Sequence, residues 1–172
     1  SGEISTVGEG EILVQTPSLM QGYLNQPGLT DAAFEEEFFC TGDTGSIDKT
    51  GVIRIRGRRK LEINYAGIKV NPEEIEALVE KRKTVAEACV FAVPDEIAGE
   101  LIGVAVVFSD LSPEDGSVEI SDEVENTKAW LRDHVIEEKV PKKWYILGAI
   151  PKTERGKIDR NRVLADCLDQ KI

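Results

Sequence analysis

The run Gly57-Arg58-Arg59-Lys60 splits this sequence into two stretches with different patterns, and no single regular architecture fits both. Ahead of it the apolar runs are short and punctuated by glycine. Glu11-Ile12-Leu13-Val14, Phe38-Phe39-Cys40 and Val52-Ile53-Arg54-Ile55-Arg56 read as strands, the last with Ile53 and Ile55 on one face and Arg54 and Arg56 on the other. Lys49-Thr50-Gly51 supplies a hairpin turn between two of them. Strands this few cannot enclose a core, so residues 1–59 are expected to be the β-rich end of something larger.

Behind the run, Leu61, Ile63 and Tyr65 alternate, and Asn71-Pro72-Glu73-Glu74 then announces a helix. It combines an N-cap side chain, proline at the first helical position and glutamates at the positive end of the helix dipole. Ile75, Leu78 and Val79 form its buried stripe, and Lys81-Arg82-Lys83 complement its far end. The apolar runs 88–93 and 101–108 predict two strands of a sheet covered on both faces or packed at a helix contact. Residues 109–121 read as a solvated loop. Ser121 is expected to cap a helix running to about His134, with Val124, Leu131 and Val135 inward. A short strand over 144–147 follows, and Asp159 is placed to cap a last helix that buries Leu164, Cys167 and Leu168. Helix, two strands, helix, strand and helix predict an α+β fold, a small domain of helices packed on a short sheet over residues 60–172.

Composition narrows the function classes. Hydrophobic residues at 41% and charged residues at 31% are globular values, so the chain is neither disordered nor collagen-like. The cysteines Cys40, Cys89 and Cys167 stand far apart with no CxxC pair, which argues for a reducing compartment and against a structural zinc site; no metal site is expected. The run 101–108 contains Gly103 and falls well short of the ~20 residues of a membrane helix. No leader or anchor is expected, and the chain reads as soluble and cytoplasmic. A net charge of −11 argues against nucleic-acid binding, since phosphate backbones are gripped by clustered lysine and arginine. The charge is uneven: −3 over residues 1–60, −12 over 61–140 and +4 over 141–172, so an acidic chain closes on a basic stretch.

Three polar clusters lie in turns, where function concentrates. In Thr41-Gly42-Asp43 the carboxylate projects from a strand end on a glycine turn, and its two acceptor oxygens suit a pair of neighbouring ribose hydroxyls. In Gly57-Arg58-Arg59-Lys60 a planar guanidinium can grip phosphate or ribose, while glycine and a flexible polar residue can absorb a dihedral change at a domain junction. In Pro151-Lys152-Thr153-Glu154-Arg155-Gly156-Lys157 a lysine ends a loop tip, and an ammonium that is charged at neutral pH can meet developing negative charge. Each cluster taken singly is more often a turn aspartate, a charged linker or a basic loop than a site. Glycine-rich phosphate motifs are absent, and His134, the only histidine, has no nucleophile beside it in the sequence.

Together, in this order and spacing, the clusters resemble the C-terminal part of the adenylate-forming superfamily, which includes acyl-CoA synthetases, peptide-synthetase adenylation domains and firefly-type luciferases. Glu11-Ile12-Leu13-Val14, Met20-Gln21-Gly22-Tyr23 through Pro27, and Leu29-Thr30 resemble the family's GEL, GY and P.LT segment. Phe39-Cys40-Thr41-Gly42-Asp43 is similar to its TGD motif and Ile55-Arg56-Gly57-Arg58-Arg59-Lys60 to its GRxD/K hinge. Tyr65-Ala66-Gly67-Ile68-Lys69-Val70-Asn71-Pro72-Glu73-Glu74-Ile75-Glu76 resembles the loop and helix after the hinge, and Pro151-Lys152-Thr153 through Arg160 the PxTxxGKxxR motif. Thr44, Cys40 and Asn64 depart from the residues usual at their positions.

The resemblance implies an enzyme of two half-reactions: a carboxylate attacks the α-phosphate of ATP, giving an acyl-adenylate and pyrophosphate, and a thiol then displaces AMP. It implies that Asp43 holds the ribose hydroxyls, Arg58 helps grip the nucleotide, Lys60 is the hinge, Lys157 bridges carboxylate and phosphate, and Gly67 lies where a pantetheine arm passes. ATP or AMP with Mg²⁺ and CoA are the implied cofactors, the Mg²⁺ site lying outside this chain. Residues 1–59 would be the end of the N-terminal adenylation domain and 60–172 the mobile C-terminal domain. The partners expected are the missing N-terminal domain, a carboxylic acid, and CoA or a carrier-protein pantetheine. Asn71-Pro72-Glu73-Glu74-Ile75-Glu76 resembles acyl-CoA synthetases, as in fatty acid metabolism, more than peptide-synthetase domains. The expectation is a piece inactive alone; loading of a carrier-protein thiol, or a standalone non-catalytic binding module, are the alternatives.

Overall fold

A computed structural model of the chain describes residues 4–109 and 118–169. The chain divides into two compact units, Ser1–Lys60 and Leu61–Ile172. In the first, β1 (Gly8–Val14), β2 (Phe34–Glu35), β3 (Phe38–Ile47) and β4 (Ile53–Arg58) form an antiparallel sheet, with the short helix α1 (Pro27–Ala32) ahead of β2. Strand β3 is the spine, pairing with each of the other three strands. Its path needs glycine at position 45, where a Cβ would stand 2.4 Å from the Arg54 carbonyl oxygen. Among the described residues of this unit no hydrophobic side chain is fully buried, and Ile53 and Ile55 are 53% and 59% exposed.

The β3–β4 turn is organised by Asp48. One of its oxygens accepts from the Thr50 amide at 2.9 Å, the Thr50 hydroxyl at 2.6 Å and the Val52 amide at 3.2 Å. The other takes Arg54 at 2.8 Å, while Gly51 adopts a φ of +83° that a side chain would disfavour.

The second unit carries the core. A hairpin of β5 (Ile63–Tyr65) and β6 (Ile68–Val70) leads to α2 (Pro72–Val79), then β7 (Val85–Asp95), β8 (Gly99–Phe108), α3 (Val118–Arg132), β9 (Lys143–Ile146) and α4 (Arg160–Asp169). The sheet runs β6-β5-β8-β7, with β9 joining β8 in parallel and every other pair antiparallel. Alternate residues of β7 and β8 serve two cores. Ala88, Val90, Ile102, Val104 and Val106 pack with Ile75 and Val79 of α2 and with Leu131 of α3. On the other face Cys89, Phe91, Val93 and Ala105 pack with Val163 and Cys167 of α4. A sheet covered on both faces is why 88–93 and 101–108 are continuously apolar. The α+β class with helices on a short sheet therefore holds, with β5–β6 as an added hairpin.

The Asn71 carboxamide accepts from Glu73 N at 3.0 Å with Pro72 behind it, and Asp159 accepts from Arg162 N at 3.2 Å, so both predicted caps are present. Other boundaries differ. Helix α3 is described from Val118, so Ser121 lies inside it rather than at its cap; most of the predicted loop, residues 110–117, lies outside the described residues. Val163 replaces Leu168 as the buried partner of Cys167 on α4, with Leu168 49% exposed. The far end of α2 has no basic residue in its last turn, and Arg82 instead pairs with Glu123 on α3 at 2.7 Å.

Hydrogen bonds from Thr50, ahead of the Arg54 guanidinium, hold the Asp48 carboxyl at about 2, below the ordinary 3.8. A depressed folded-state pKa stabilises above the ordinary value, and that contribution is lost as pH falls through about 2. Asp48→Asn is therefore expected to lower the denaturation midpoint at neutral pH, and the gap from wild type should close on acidification towards pH 2. A gap that stays constant into that range contradicts this account of the turn.

Candidate functional site

Each unit carries part of the predicted site. In the first, cross-strand pairing of Asp43 on β3 with Arg58 on β4 brings two predicted nucleotide-binding residues together. Arg58 Nε lies 2.8 Å from Asp43 Oδ1, and an Arg58 terminal nitrogen donates to the Thr41 carbonyl at 3.0 Å. The Thr41-Gly42-Asp43 turn is fixed from within: Thr41 Oγ1 donates to the Ile12 carbonyl at 2.7 Å and accepts from Asp43 N at 3.0 Å. Glu11 accepts from Gly42 N at 3.1 Å and also takes the Arg59 guanidinium. Gly42 stands at φ +73°, in the left-handed region, which explains the glycine. Arg58 is 58% exposed, so its pair with Asp43 is screened by water and contributes at most ~1 kcal/mol. Both groups can exchange that contact for a ligand at little cost. Lys60 is exposed, lies in the single turn Arg59–Leu61 and is the last residue of the first unit.

In the second unit Gly67 sits at the tip of the β5–β6 hairpin. Tyr65 pairs with Ile68, leaving Ala66 and Gly67 as a two-residue loop with φ of +48° and +86°. Two successive positive φ values are the signature of a type I′ turn, whose twist matches that of the strands. A Cβ added at Gly67 would meet nothing within 4 Å, so the space beside this backbone is open. Ala66 holds the left-handed conformation without glycine's freedom, a strain of the kind found at functional turns.

Lys157 belongs to a tight hairpin loop. Lys152 bridges Ile158, Thr153 N donates to the Lys157 carbonyl at 2.7 Å, and Gly156 N donates to the Thr153 carbonyl at 2.8 Å with Gly156 at φ +76°. Residues 152–157 are exposed. The loop is tied at both arms. Lys152 Nζ lies 3.0 Å from Glu87 on β7, and Asp159 N closes the base on the Pro151 carbonyl at 2.9 Å. At the first residue of α4, Arg160 donates to both oxygens of Glu76 on α2 at 2.7 Å and to the Val90 carbonyl on β7 at 3.3 Å. Glu76 in turn accepts from Val90 N at 2.8 Å, and Glu80 accepts from Ala88 N at 3.1 Å. Strand β7 is a sheet edge, so these side chains occupy main-chain groups that an open edge would expose. Burial pushes the Glu76 carboxyl above the ordinary carboxylate range, opposed by the Val90 amide and by Arg160.

The sheet separates the two features of this unit. Tyr65, next to the Ala66-Gly67 turn, pairs with Gly99 at the start of β8, whereas Lys152 is tied to Glu87, opposite Val107 near its end. Eight steps along the strand, from Gly99 to Val107, span about 26 Å. The glycine turn and the lysine loop thus lie at opposite ends of β8, and the structure does not bring them together.

No cysteine is an activated nucleophile. Burial pushes Cys89 up to about 12 and Cys167 up to about 11, and also raises Cys40, keeping all three as thiols. His134 follows α3 and stacks on Trp130 at 3.9 Å between ring centroids, with Nδ1 2.8 Å from the Trp130 carbonyl. No group of three or more potential metal ligands gathers among the described residues. None of the helices among them is long and apolar enough to cross a membrane. Sequence reasoning gave Glu76 and Arg160 no role. The available signal was position: Glu76 shares the face of Ile75 and Val79, where a carboxylate needs a partner.

Residues 74–157 match the family model described as the AMP-binding enzyme C-terminal domain, a match ending on Lys157. An oxalate–CoA ligase of Arabidopsis thaliana is 35% identical over 162 residues, 94% of this chain and 30% of that protein. A long-chain-fatty-acid–CoA ligase of Bacillus subtilis (strain 168) is 33% identical over 167 residues, 96% of this chain and 28% of that protein. The crystal structure of an ATP-bound RpMatB-BxBclM chimera superposes with a TM-score of 0.80 at 32% identity, covering 95% of this chain and 31% of the other. The chain belongs to the adenylate-forming superfamily, whose C-terminal domain it carries. It spans about 30% of the length of the curated relatives it matches, and the two named here are CoA ligases.

The strained turn yields a prediction independent of activity. Asparagine tolerates the left-handed region that alanine resists, so Ala66→Asn should stabilise the second unit by roughly 1 kcal/mol in denaturant titration. Destabilisation by this substitution would contradict the turn assignment.

Proposed function

We propose that this chain is the C-terminal portion of an AMP-forming acyl-CoA synthetase and is inactive without the rest of that enzyme. The observation that carries the reading is Lys157, an exposed ammonium at the end of a braced loop and the final residue of the family match. The fraction of its relatives' length that the chain spans supports a larger parent, as does a first unit with no fully buried hydrophobic side chain among its described residues. Residues 1–59 then end the N-terminal adenylation domain, and 60–172 are the domain that turns about Lys60.

In the first half-reaction a substrate carboxylate oxygen attacks the α-phosphorus of ATP, the new acyl–phosphate bond forms and pyrophosphate leaves. Asp43 accepts the ribose hydroxyls, Arg58 steadies the nucleotide, and Lys157 stabilises the negative charge that collects between carboxylate and α-phosphate. Mg²⁺, bound outside this chain, would accompany the pyrophosphate. In the second half-reaction the CoA thiolate attacks the acyl carbon and AMP departs. The open space beside Gly67 suits a pantetheine arm running along the backbone. The separation of Gly67 and Lys157 along β8 supports a scheme in which each serves one half-reaction. Pro72 at the start of α2 favours CoA as the acceptor, by the resemblance of Asn71-Pro72-Glu73-Glu74-Ile75-Glu76 to acyl-CoA synthetases.

In the full-length parent, Lys157→Ala is expected to slow adenylation about 10²- to 10³-fold, the loss typical of one positioned donor. Thioester formation from a supplied acyl-adenylate should continue at near the wild-type rate. Pyrophosphate release and thioester formation, measured separately, test this, and equal slowing of both rejects the role given to Lys157.

A further inference from the structure

We infer that Glu76 is a positioning residue for Lys157: acting through Arg160, it fixes the trailing arm of the lysine loop against the edge of β7 and so sets where the ammonium is presented during adenylation. The inference rests on the role proposed above for Lys157.

Several observations support it. Only two residues separate Lys157 from Arg160, and the loop base between them closes through Asp159 N on the Pro151 carbonyl. One terminal nitrogen of Arg160 reaches both Glu76 oxygens at 2.7 Å while Nε donates to the Val90 carbonyl at 3.3 Å, and two nitrogens held at two points fix the direction of the guanidinium as well as its distance. The two side chains are only 20% and 10% exposed, so the contact is little screened. The leading arm is held by Ile150, buried in the core beneath α4, and by a Lys152–Glu87 pair in which the lysine is 48% exposed.

Packing does not make this contact redundant. Helix α2 is already seated by Ile75 and Val79 on one face of the sheet, and α4 by Val163 and Cys167 on the other. Ile150 and Ile158 seat the two arms of the loop on the core beneath α4, but residues 153–157 belong to neither core. The Glu76–Arg160 pair is what links the two faces around the β7 edge, at the residue where the lysine loop becomes helix. A buried ion pair commonly adds little net stability over an apolar replacement, while its geometry specifies one arrangement. That profile fits a positioning device better than a stabilising one.

A double-mutant cycle in the full-length parent tests the inference, with Glu76→Ala, Lys157→Ala and the double variant compared in each half-reaction. Glu76→Ala is expected to slow adenylation about ten- to a hundredfold, since a displacement of about 1 Å costs up to 10²-fold. Thioester formation from supplied acyl-adenylate should change less than about threefold. In the Lys157→Ala background Glu76→Ala should add less than about twofold, because the group it positions is already gone. Equal slowing of both half-reactions, or an undiminished effect of Glu76→Ala without Lys157, overturns the inference. Lys157→Ala with wild-type adenylation overturns the prior assignment of Lys157, and with it any positioning of that residue. If Glu76→Ala does not fold, Glu76→Gln enters the same cycle; it keeps an acceptor for Val90 N while removing the charge that holds Arg160, and a smaller adenylation-specific loss is expected of it.

Discussion

The pair formed by Glu76 and Arg160 around the edge of β7 is the contact on which the arrangement of the second unit turns. Two helices on opposite faces of a sheet have no direct means of sensing each other, because the sheet lies between them. Here the Val90 amide and carbonyl at the open edge are taken by a carboxylate from one face and a guanidinium from the other, and those groups then meet. One main-chain position thereby ties α2 to α4, closes an edge that would otherwise invite strand pairing, and fixes the residue from which the lysine loop departs. Removing either partner would leave the other charge half-buried and a main-chain group unmet, which is why the contact is expensive to break even if its net contribution is modest.

Around that contact the second unit holds its two hairpin loops apart. A rigid, two-sided core carries the lysine loop at one end of β8 and the strained Ala66-Gly67 turn at the other. Both are tight hairpins whose positive-φ residues prescribe their shape, so each presents its end of the unit without depending on a long mobile loop. The first unit is built on another principle. Its strands are positioned by β3, by the ion pairs of Glu11 with Arg59 and Asp43 with Arg58, and by the Asp48 turn, and its apolar side chains are only partly covered. Such a sheet is suited to being the rim of a larger body.

Much of this was legible in the sequence wherever a local rule acts alone. Asn71-Pro72 and Asp159 cap helices because their side chains reach backbone amides two or three residues on, a relation that the sequence carries directly. The continuous apolar runs of β7 and β8 announced burial on both faces. The cap of α3 was misplaced because Ser121 has the chemistry of a cap, yet it lies within the helix. Leu168 and Val163 exchanged roles because a helix of ten residues offers two overlapping apolar stripes, and only the facing surface of β7 selects between them. For the site, the motif positions were legible and the contact beneath them was not. Glu76 and Arg160 stand 84 residues apart, and a glutamate on a helix rich in glutamates gives no hint of its partner. Only its place on the face of Ile75 and Val79 marked it.

The most direct test of the account is the position of the Lys157 ammonium in crystal structures of the full-length parent, one trapped with ATP and one with a non-hydrolysable acyl-adenylate mimic and CoA. The account predicts the ammonium within hydrogen-bond reach of the α-phosphate or the substrate carboxylate in the first, and the Ala66-Gly67 turn against the pantetheine in the second, with the Glu76–Arg160 contact intact in both. Lys157 directed into solvent in both structures, or reaching the nucleotide only where the Glu76–Arg160 contact is broken, would contradict it.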